Sequence, residues 1–246
     1  MGSAAGLIVE FVGLPGAGKS ALARQVSVLL TDRGVAVSQS TGQLDRLGVA
    51  GRTWFKVGYA LQGAMAGPVR GGRWLGRFLE MGQRGLTDTG RVALNWFFLI
   101  GLTRRLASRS GVHLLDQGII QGLWSAGYAA RRGVRSDPEV AAALREVLPP
   151  RMLVVVVETS PERLVDRLQQ RAGGDSRLER DLATSEPGAS LARAVAAFAS
   201  IQELLVLLER QGAVAVLRVR GDQADQLLTT AQVIAERIAG PSPRGD

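Results

Sequence analysis

Short runs of apolar, mostly β-branched residues recur along the chain, and each run is bounded by turn or cap residues. The runs cover residues 7–12, 35–39, 112–115, 152–157 and 214–219. They show little alternation between apolar and polar positions. We therefore expect strands that are covered on both faces, as in a parallel sheet.

The apolar spacing between these runs is helical. Leu22, Val26 and Leu30 fall on one face of a helix that Gly34 is placed to end. Ser160 and Pro161 have the residue types of an N-cap and a first helical position. We also predict helices over residues 191–210 and 223–238, so that strands and helices alternate in one α/β domain.

The interval 41–111 is too long for a simple crossover between two strands. We predict a helical insertion of two or three helices, broken by glycine-rich turns such as GPVRGG at residues 67–72. The domain then covers residues 1–240, and residues 241–246 form a flexible tail.

Composition excludes several kinds of site. The chain has no cysteine and one histidine, so disulfides, thiolate metal sites and histidine clusters are ruled out. The N-terminus lacks the basic segment of a signal peptide, and apolar runs such as residues 94–102 are far shorter than the roughly 18 residues that span a bilayer. We expect a cytoplasmic protein without a transmembrane segment.

The net charge of +8 is unevenly distributed. Residues 46–109 hold eleven basic and two acidic residues, together with eight of the twelve aromatic residues. Such a segment suits an anionic partner, including nucleic acid or an anionic membrane. We favour the alternative that it covers the sheet and binds a phosphate of a small acceptor.

The segment GLPGAGKS at residues 13–20 matches the pattern G-x-x-x-x-G-K-[ST] and stands between an apolar strand and an amphipathic helix. Its glycines let the backbone wrap an anion, Lys19 would reach the β- and γ-phosphates of ATP, and Ser20 would bind Mg²⁺. The flanking elements disfavour a glycine-rich turn that binds nothing. The predicted nucleotide-binding residues are Gly13, Gly16, Ala17, Gly18, Lys19, Ser20 and Ala21.

Asp116 follows a buried strand, where the carboxyl end of the strand would place it beside the loop. We expect it to contact the metal or the acceptor, and the alternative is a helix cap. Arg167 and Arg171 lie four residues apart before a glycine pair and Arg177. They form either a flap over the transferring phosphate or a solvated helix face.

These segments together resemble the nucleoside-monophosphate-kinase group of phosphate-loop kinases, thymidylate kinase most of all. The resemblance covers residues 7–34 and 112–238. It implies a P-loop NTPase-type three-layer sandwich with a five-stranded parallel sheet, Mg-ATP as phosphoryl donor, and a lid over residues 171–190. In this reading Lys19, Asp116, Arg171 and Arg177 are catalytic, and Ser20 and Asp116 bind the metal.

The acceptor side departs from that family. Thymidylate kinases typically have Asp-Arg-Tyr where this chain has Asp116-Gln117-Gly118. The run WFFLIGLTRR resembles the family's helix in which an aromatic residue stacks on the base and an arginine follows, which makes Phe98, Arg104 and Arg105 candidates for acceptor binding. The alternative for this run is a place in the core. Gln117 and Gln121 would read a hydroxyl-rich acceptor or cap local backbone.

The leading functional hypothesis is a kinase that transfers the ATP γ-phosphoryl group to a nucleotide or to another small acceptor with a hydroxyl or phosphate group. A kinase of a sugar or natural-product alcohol and a nucleotide-dependent switch ATPase are the alternatives. A GTPase is disfavoured because the guanine-reading Asn-Lys-x-Asp loop is absent. The sequence leaves the oligomeric state open, with a homodimer as one candidate.

Overall fold

The described residues form a sheet of five strands. The computed structural model describes residues 5–39, 58–61, 63, 68–169, 177–184, 187–221 and 226–239. Its strands are β1 Leu7–Val12, β2 Val37–Gln39, β3 Val112–Leu115, β4 Met152–Glu158 and β5 Ala215–Arg220. They pair in parallel in the order β2-β3-β1-β4-β5. The predicted parallel sheet is confirmed, and no predicted strand end is off by more than two residues.

Helices flank this sheet on both faces. They are α1 Lys19–Asp32, α2 Pro68–Glu80, α3 Leu86–Ala107, α4 Ile119–Ala129, α5 Pro138–Arg145, α6 Pro161–Gln169, α7 Arg177–Thr184, α8 Pro187–Arg210 and α9 Leu227–Ala239. The predicted tail at 241–246 and the first part of the predicted insertion, residues 41–57, lie outside the described residues.

The two faces of the sheet belong to two separate hydrophobic cores. Along β1, Ile8 and Val12 point into the larger core, to which α3, α4 and α8 contribute. Val9 and Phe11 point into the smaller core with α1 and α9. Complete burial of such a side chain stabilises the fold by about 1.5–3 kcal/mol. Successive side chains of β1 therefore point into different cores, which explains why the strand is apolar on both faces. The helices on each side and the sheet between them form the three layers of the fold.

The described residues 68–72 of the predicted turn GPVRGG are helical instead. Helix α2 begins at Pro68 and continues through Gly71 and Gly72 to Glu80. Proline suits the first turn of a helix, and a Cβ built on Gly72 meets nothing within 4 Å. The break between α2 and α3 comes later, at Gly82, whose φ of +71° is left-handed. Tertiary packing of α2 through its buried Trp74 outweighs the low helix propensity of its glycines.

One described helix, α8, is long and apolar enough to cross a membrane by length and composition alone. The sequence prediction, which considered shorter runs, missed it. Its Ala194, Ile201, Leu205 and Leu208 are buried in the larger core. Helix α8 thus packs one face into the larger core, and 39% of its apolar window is buried inside the molecule.

Candidate active site

The loop after β1 has a conformation that depends on its glycines. Gly16 and Gly18 have φ of +88° and +91°, in the left-handed region that favours glycine. A Cβ on Gly13 would lie 2.6 Å from the carbonyl oxygen of Val157 on β4. The motif therefore forms a tight turn held against the neighbouring strand.

Helix α1 starts inside this loop. Gly18 is its N-cap, and no side chain among the described residues hydrogen-bonds to cap it. The first backbone N–H groups of a helix lack partners within the helix and, together with the helix dipole, attract anions. Lys19 Nζ lies 2.8 Å from the Gly13 carbonyl oxygen and 2.9 Å from that of Leu14. The ammonium group thus folds back over the loop that contains Gly13 and Leu14.

Ser20 and Asp116 are brought together from different elements. Ser20 Oγ, in the first turn of α1, donates a hydrogen bond of 3.1 Å to Asp116 Oδ2, just beyond β3. The other carboxylate oxygen, Oδ1, is buried and has no hydrogen-bond partner among the described residues. A hydroxyl and an orphaned carboxylate oxygen are ligands that Mg²⁺ prefers, so these residues fit the predicted ion. Among the described residues, no three His, Asp or Glu side chains lie close enough together to bind a metal ion by themselves.

A carboxylate lies under the loop in the middle of β1. Glu10 is fully buried, and its carboxylate accepts hydrogen bonds from the backbone N–H groups of Gln121 at 2.7 Å and Ile120 at 3.2 Å. Burial raises the pKa of Glu10 to about 7, although the hydrogen bonds from the start of α4 oppose the shift. The side chain of Gln121 continues the contact, because its Oε1 accepts a hydrogen bond of 3.1 Å from the Gly13 N–H.

An arginine of α6 contacts the loop from the other side. Arg167 Nη2 donates to the Gly221 carbonyl oxygen at 3.0 Å, and Nη1 donates to that of Gly16 at 3.4 Å. Gly221 follows β5, and a Cβ there would come within 2.5 Å of the Ala17 carbonyl oxygen. The guanidinium group therefore joins the phosphate loop to the carboxyl end of β5.

A polar cavity of about 320 Å³ lies between α3, the end of α4 and α7. Its lining residues are Arg84, Asp88, Arg91, Tyr128, Ala129, Arg180 and Asp181. Tyr128 Oη donates a hydrogen bond of 2.7 Å to Asp181, which also pairs with Arg84 at 3.5 Å. Burial raises the pKa of Tyr128 to about 12, and the Asp181 carboxylate adds to the shift, so the phenol stays a donor near neutral pH.

Helix α4 connects this cavity to the phosphate loop. Gln121 in its first turn contacts Gly13, whereas Tyr128 near its end lines the cavity. Seven residues of α-helix span about 10 Å. The cavity therefore lies about two helical turns from the residue that contacts Gly13.

The structure does not bring the aromatic and basic candidates of α3 to the loop. Phe98 is buried in the larger core, with its ring 6.1 Å from that of Tyr59. The guanidinium of Arg105 lies over the same Tyr59 ring, at 5.7 Å. Arg104 is one turn before the end of α3, where the Ala107 carbonyl accepts from Gly6 at the start of β1. These arginines therefore lie at the amino end of β1, opposite the phosphate loop.

The remaining predicted residues have different outcomes. Gln117 is exposed beside Asp116, while Gln121 is buried and contacts the loop backbone. Arg171 lies outside the described residues. Arg177 begins α7, the helix that carries two of the cavity residues.

Three residues of this region were not chosen from the sequence as site residues. Glu10 gave a signal, since it is a lone carboxylate within an apolar strand. Arg167 belonged to the predicted basic cluster, and only its contact with the loop distinguishes it from its neighbours. Tyr128 gave no signal, because its place depends on how α4 and α7 pack.

Comparison with known proteins identifies the fold. No protein-family model and no curated protein matches the chain. Among solved structures, thymidylate kinase from Candida albicans is 17% identical, with 98% of this chain and 96% of that chain covered and a TM-score of 0.50. Deoxyadenosine kinase from M. mycoides is 11% identical, with 94% and 98% covered and a TM-score of 0.48. The chain has the fold of the P-loop nucleoside-monophosphate kinases, as the sequence resemblance predicted.

Proposed function

We propose that this chain is a small-molecule kinase that transfers the γ-phosphoryl group of ATP to a nucleotide or to another small acceptor with a hydroxyl or phosphate group. The observation that supports this most is the contact between Ser20 Oγ and Asp116 Oδ2 at the start of α1. It places a hydroxyl and a half-free carboxylate next to a loop shaped for phosphates. The likeness of the fold to that of thymidylate kinase supports the same chemistry.

The donor would bind with its terminal phosphates in the loop. The N–H groups at the start of α1 would donate to phosphate oxygens, and Lys19 would exchange its contacts with the Gly13 and Leu14 carbonyls for contacts with the phosphates. Ser20 and Asp116 would hold Mg²⁺. The ion, when bound, neutralises charge on the phosphate oxygens. The role of the protein is to position the reacting groups and to stabilise negative charge.

The acceptor would bind in the polar cavity at the other end of α4. Arg84, Arg91 and Arg180 offer planar cationic donors, which suit phosphate or carboxylate groups. Tyr128 and the two aspartates add groups that can bind hydroxyls. This proposal replaces Phe98, Arg104 and Arg105 as acceptor-binding residues. Arg171 and Arg177 remain proposed lid residues.

A phosphorylation assay tests the proposal. The full chain with Mg-ATP is offered nucleoside monophosphates, sugars and natural-product alcohols, and both ADP and phosphorylated product are measured. Lys19→Ala should lower the rate by roughly 100-fold or more, since loss of a group that stabilises transition-state charge typically costs this much. Arg145→Ala, which removes an exposed positive charge on α5, is the matched control and should keep the wild-type rate.

The outcomes separate the competing functions. Acceptor-dependent ADP formation with a phosphorylated product supports the kinase. ADP formation that is independent of every acceptor and lost in Lys19→Ala would instead identify a nucleotide-dependent switch ATPase. Absence of ATP consumption with any acceptor would overturn the proposal.

A further inference from the structure

Glu10 occupies a position where a charged side chain is costly. It lies on β1 between Ile8 and Val12, which face the larger core, and it is fully buried. Its carboxylate accepts from the backbone N–H groups of Ile120 and Gln121, in the first turn of α4. A carboxylate at a helix N-terminus satisfies donors that otherwise lack partners. Glu10 therefore fixes the start of α4 to the strand that leads into the phosphate loop.

Gly118 makes room for this carboxylate. A Cβ built on Gly118 would lie 2.4 Å from both Cδ and Oε2 of Glu10, and the three nearest atoms to it all belong to Glu10. The backbone of Gly118 is extended, with φ of −123° and ψ of −156°, which any residue adopts. A larger residue at position 118 therefore fits only if the Glu10 carboxylate shifts away from the N–H groups of Ile120 and Gln121 that hold it.

The same contact reaches both halves of the site. Asp116, which accepts from Ser20, is two residues before Gly118. On the other side of the turn, Gln121 accepts from the N–H of Gly13, the first residue of the loop motif. A shift of the Glu10 carboxylate would move the turn that carries Asp116. It would also break the hydrogen bond from the Gly13 N–H to Gln121.

We propose that Glu10 and Gly118 form an interlocking pair that positions the Asp116 carboxylate against Ser20 and holds the phosphate loop in register with α4. Both are positioning residues, since neither lies at the reacting atoms. The pair also accounts for the departure from Asp-Arg-Tyr, because a tyrosine at position 118 would overlap Glu10. Its effect on phosphoryl transfer rests on the proposed kinase function, but its effect on Mg-nucleotide binding does not require turnover.

A double-mutant cycle tests the pair in the full chain. The variants are Gly118→Ala, Glu10→Ala and both together, with Gly90→Ala as the matched control, since a Cβ on this helical glycine of α3 meets nothing within 4 Å. Calorimetry measures the affinity for a non-hydrolysable ATP analogue as a function of Mg²⁺ concentration. Thermal unfolding of each variant is measured in parallel.

Gly118→Ala should raise the Mg²⁺ concentration for half-maximal binding by about 10–100-fold, as is typical when a residue that orients a metal ligand is changed. In the Glu10→Ala background, Gly118→Ala should raise this Mg²⁺ concentration by less than about twofold, because the new Cβ no longer meets a carboxylate. Gly90→Ala should match the wild type in its Mg²⁺ dependence, although alanine inside a helix should raise its thermal midpoint slightly. If Glu10→Ala does not fold, Glu10→Asp, which shortens the side chain by one methylene group, takes its place in the cycle.

Three results would decide against the pair. Gly118→Ala could raise the Mg²⁺ concentration for half-maximal binding by the same factor with and without Glu10. It could also lower the thermal midpoint while leaving the Mg²⁺ dependence unchanged, which would indicate a purely structural role. If the wild-type chain binds no Mg-nucleotide, this inference and the proposed function both fail. If it binds Mg-nucleotide with the expected coupling but phosphorylates no acceptor, only the proposed function fails.

Discussion

The buried carboxyl of Glu10 should make the stability of this protein depend on pH in an unusual direction. Burial raises its pKa from 4.5 to about 7 in the folded chain, with hydrogen bonds from α4 opposing part of the rise. In the unfolded chain the group titrates at its ordinary value. Between these two pKa values the native state binds more protons than the unfolded state, so the free energy of unfolding falls as pH rises.

The size of the effect follows from the difference between the two pKa values. A shift from 4.5 to about 7 corresponds to roughly 3 kcal/mol. This contribution is complete below the unfolded pKa and is lost as pH rises through about 7. It is a large share of the total stability of a typical domain, which is roughly 5–15 kcal/mol.

Urea unfolding of the wild type and Glu10→Gln at several pH values from 4.5 to 8 measures this contribution. Glutamine does not titrate, while His113 and every other ionisable group are present in both proteins and cancel in the difference. The wild type should lose about 3 kcal/mol relative to Glu10→Gln over this range. Parallel curves would show that Glu10 does not titrate as its burial requires, and would refute the reasoning.

Three further changes have expected effects on urea unfolding. Tyr128→Phe removes the hydrogen bond to Asp181 and should lower the free energy of unfolding by about 1–2 kcal/mol; no change would show that the contact does not contribute. Trp96→Ala should cost about 3–5 kcal/mol, whereas Trp96→Phe should cost clearly less, because the buried Nε1 of Trp96 has no hydrogen-bond partner within the described residues; equal costs would contradict this. Arg167→Ala should cost about 1 kcal/mol, and Arg167→Lys should not restore it, since one ammonium lacks the fork that contacts both Gly16 and Gly221. Full recovery with lysine would refute the two-carbonyl contact.

The sheet could be predicted because burial on both faces leaves a direct trace in the sequence. Apart from Glu10 and Glu158, β1 and β4 are apolar at successive positions, and both strands are almost completely buried. Strand β2 begins two residues later than predicted, since the N–H of Val35 still bonds to the Leu30 carbonyl near the end of α1. The apolar pattern does not predict α5, although Asp137 caps it by accepting from Val140 N–H at 2.9 Å and Pro138 occupies its first turn. A helix of eight residues carries too few apolar positions for the spacing to show.

The phosphate loop could be predicted because its chemistry is contained in eight consecutive residues. The partners around it could not, since each contact joins residues far apart in the chain. Glu10 and Gln121, for example, are 111 positions apart, and only the packing of α4 on β1 brings them together. The acceptor side stays a prediction, because an aromatic run such as that around Phe98 has the same apolar pattern in a core as in a stacking site.

The central place of β1 in the sheet has a consequence for how the molecule fluctuates. Hydrogen bonds to β3 on one side and β4 on the other must both break before this strand can open. Amide protons of β1 should therefore exchange with solvent as slowly as those that report global unfolding, and more slowly than those of the outer strands β2 and β5. The outer strands can open locally while the turn that follows β1 keeps its conformation. If the loop binds a nucleotide as proposed, its binding conformation is therefore already formed before the nucleotide arrives.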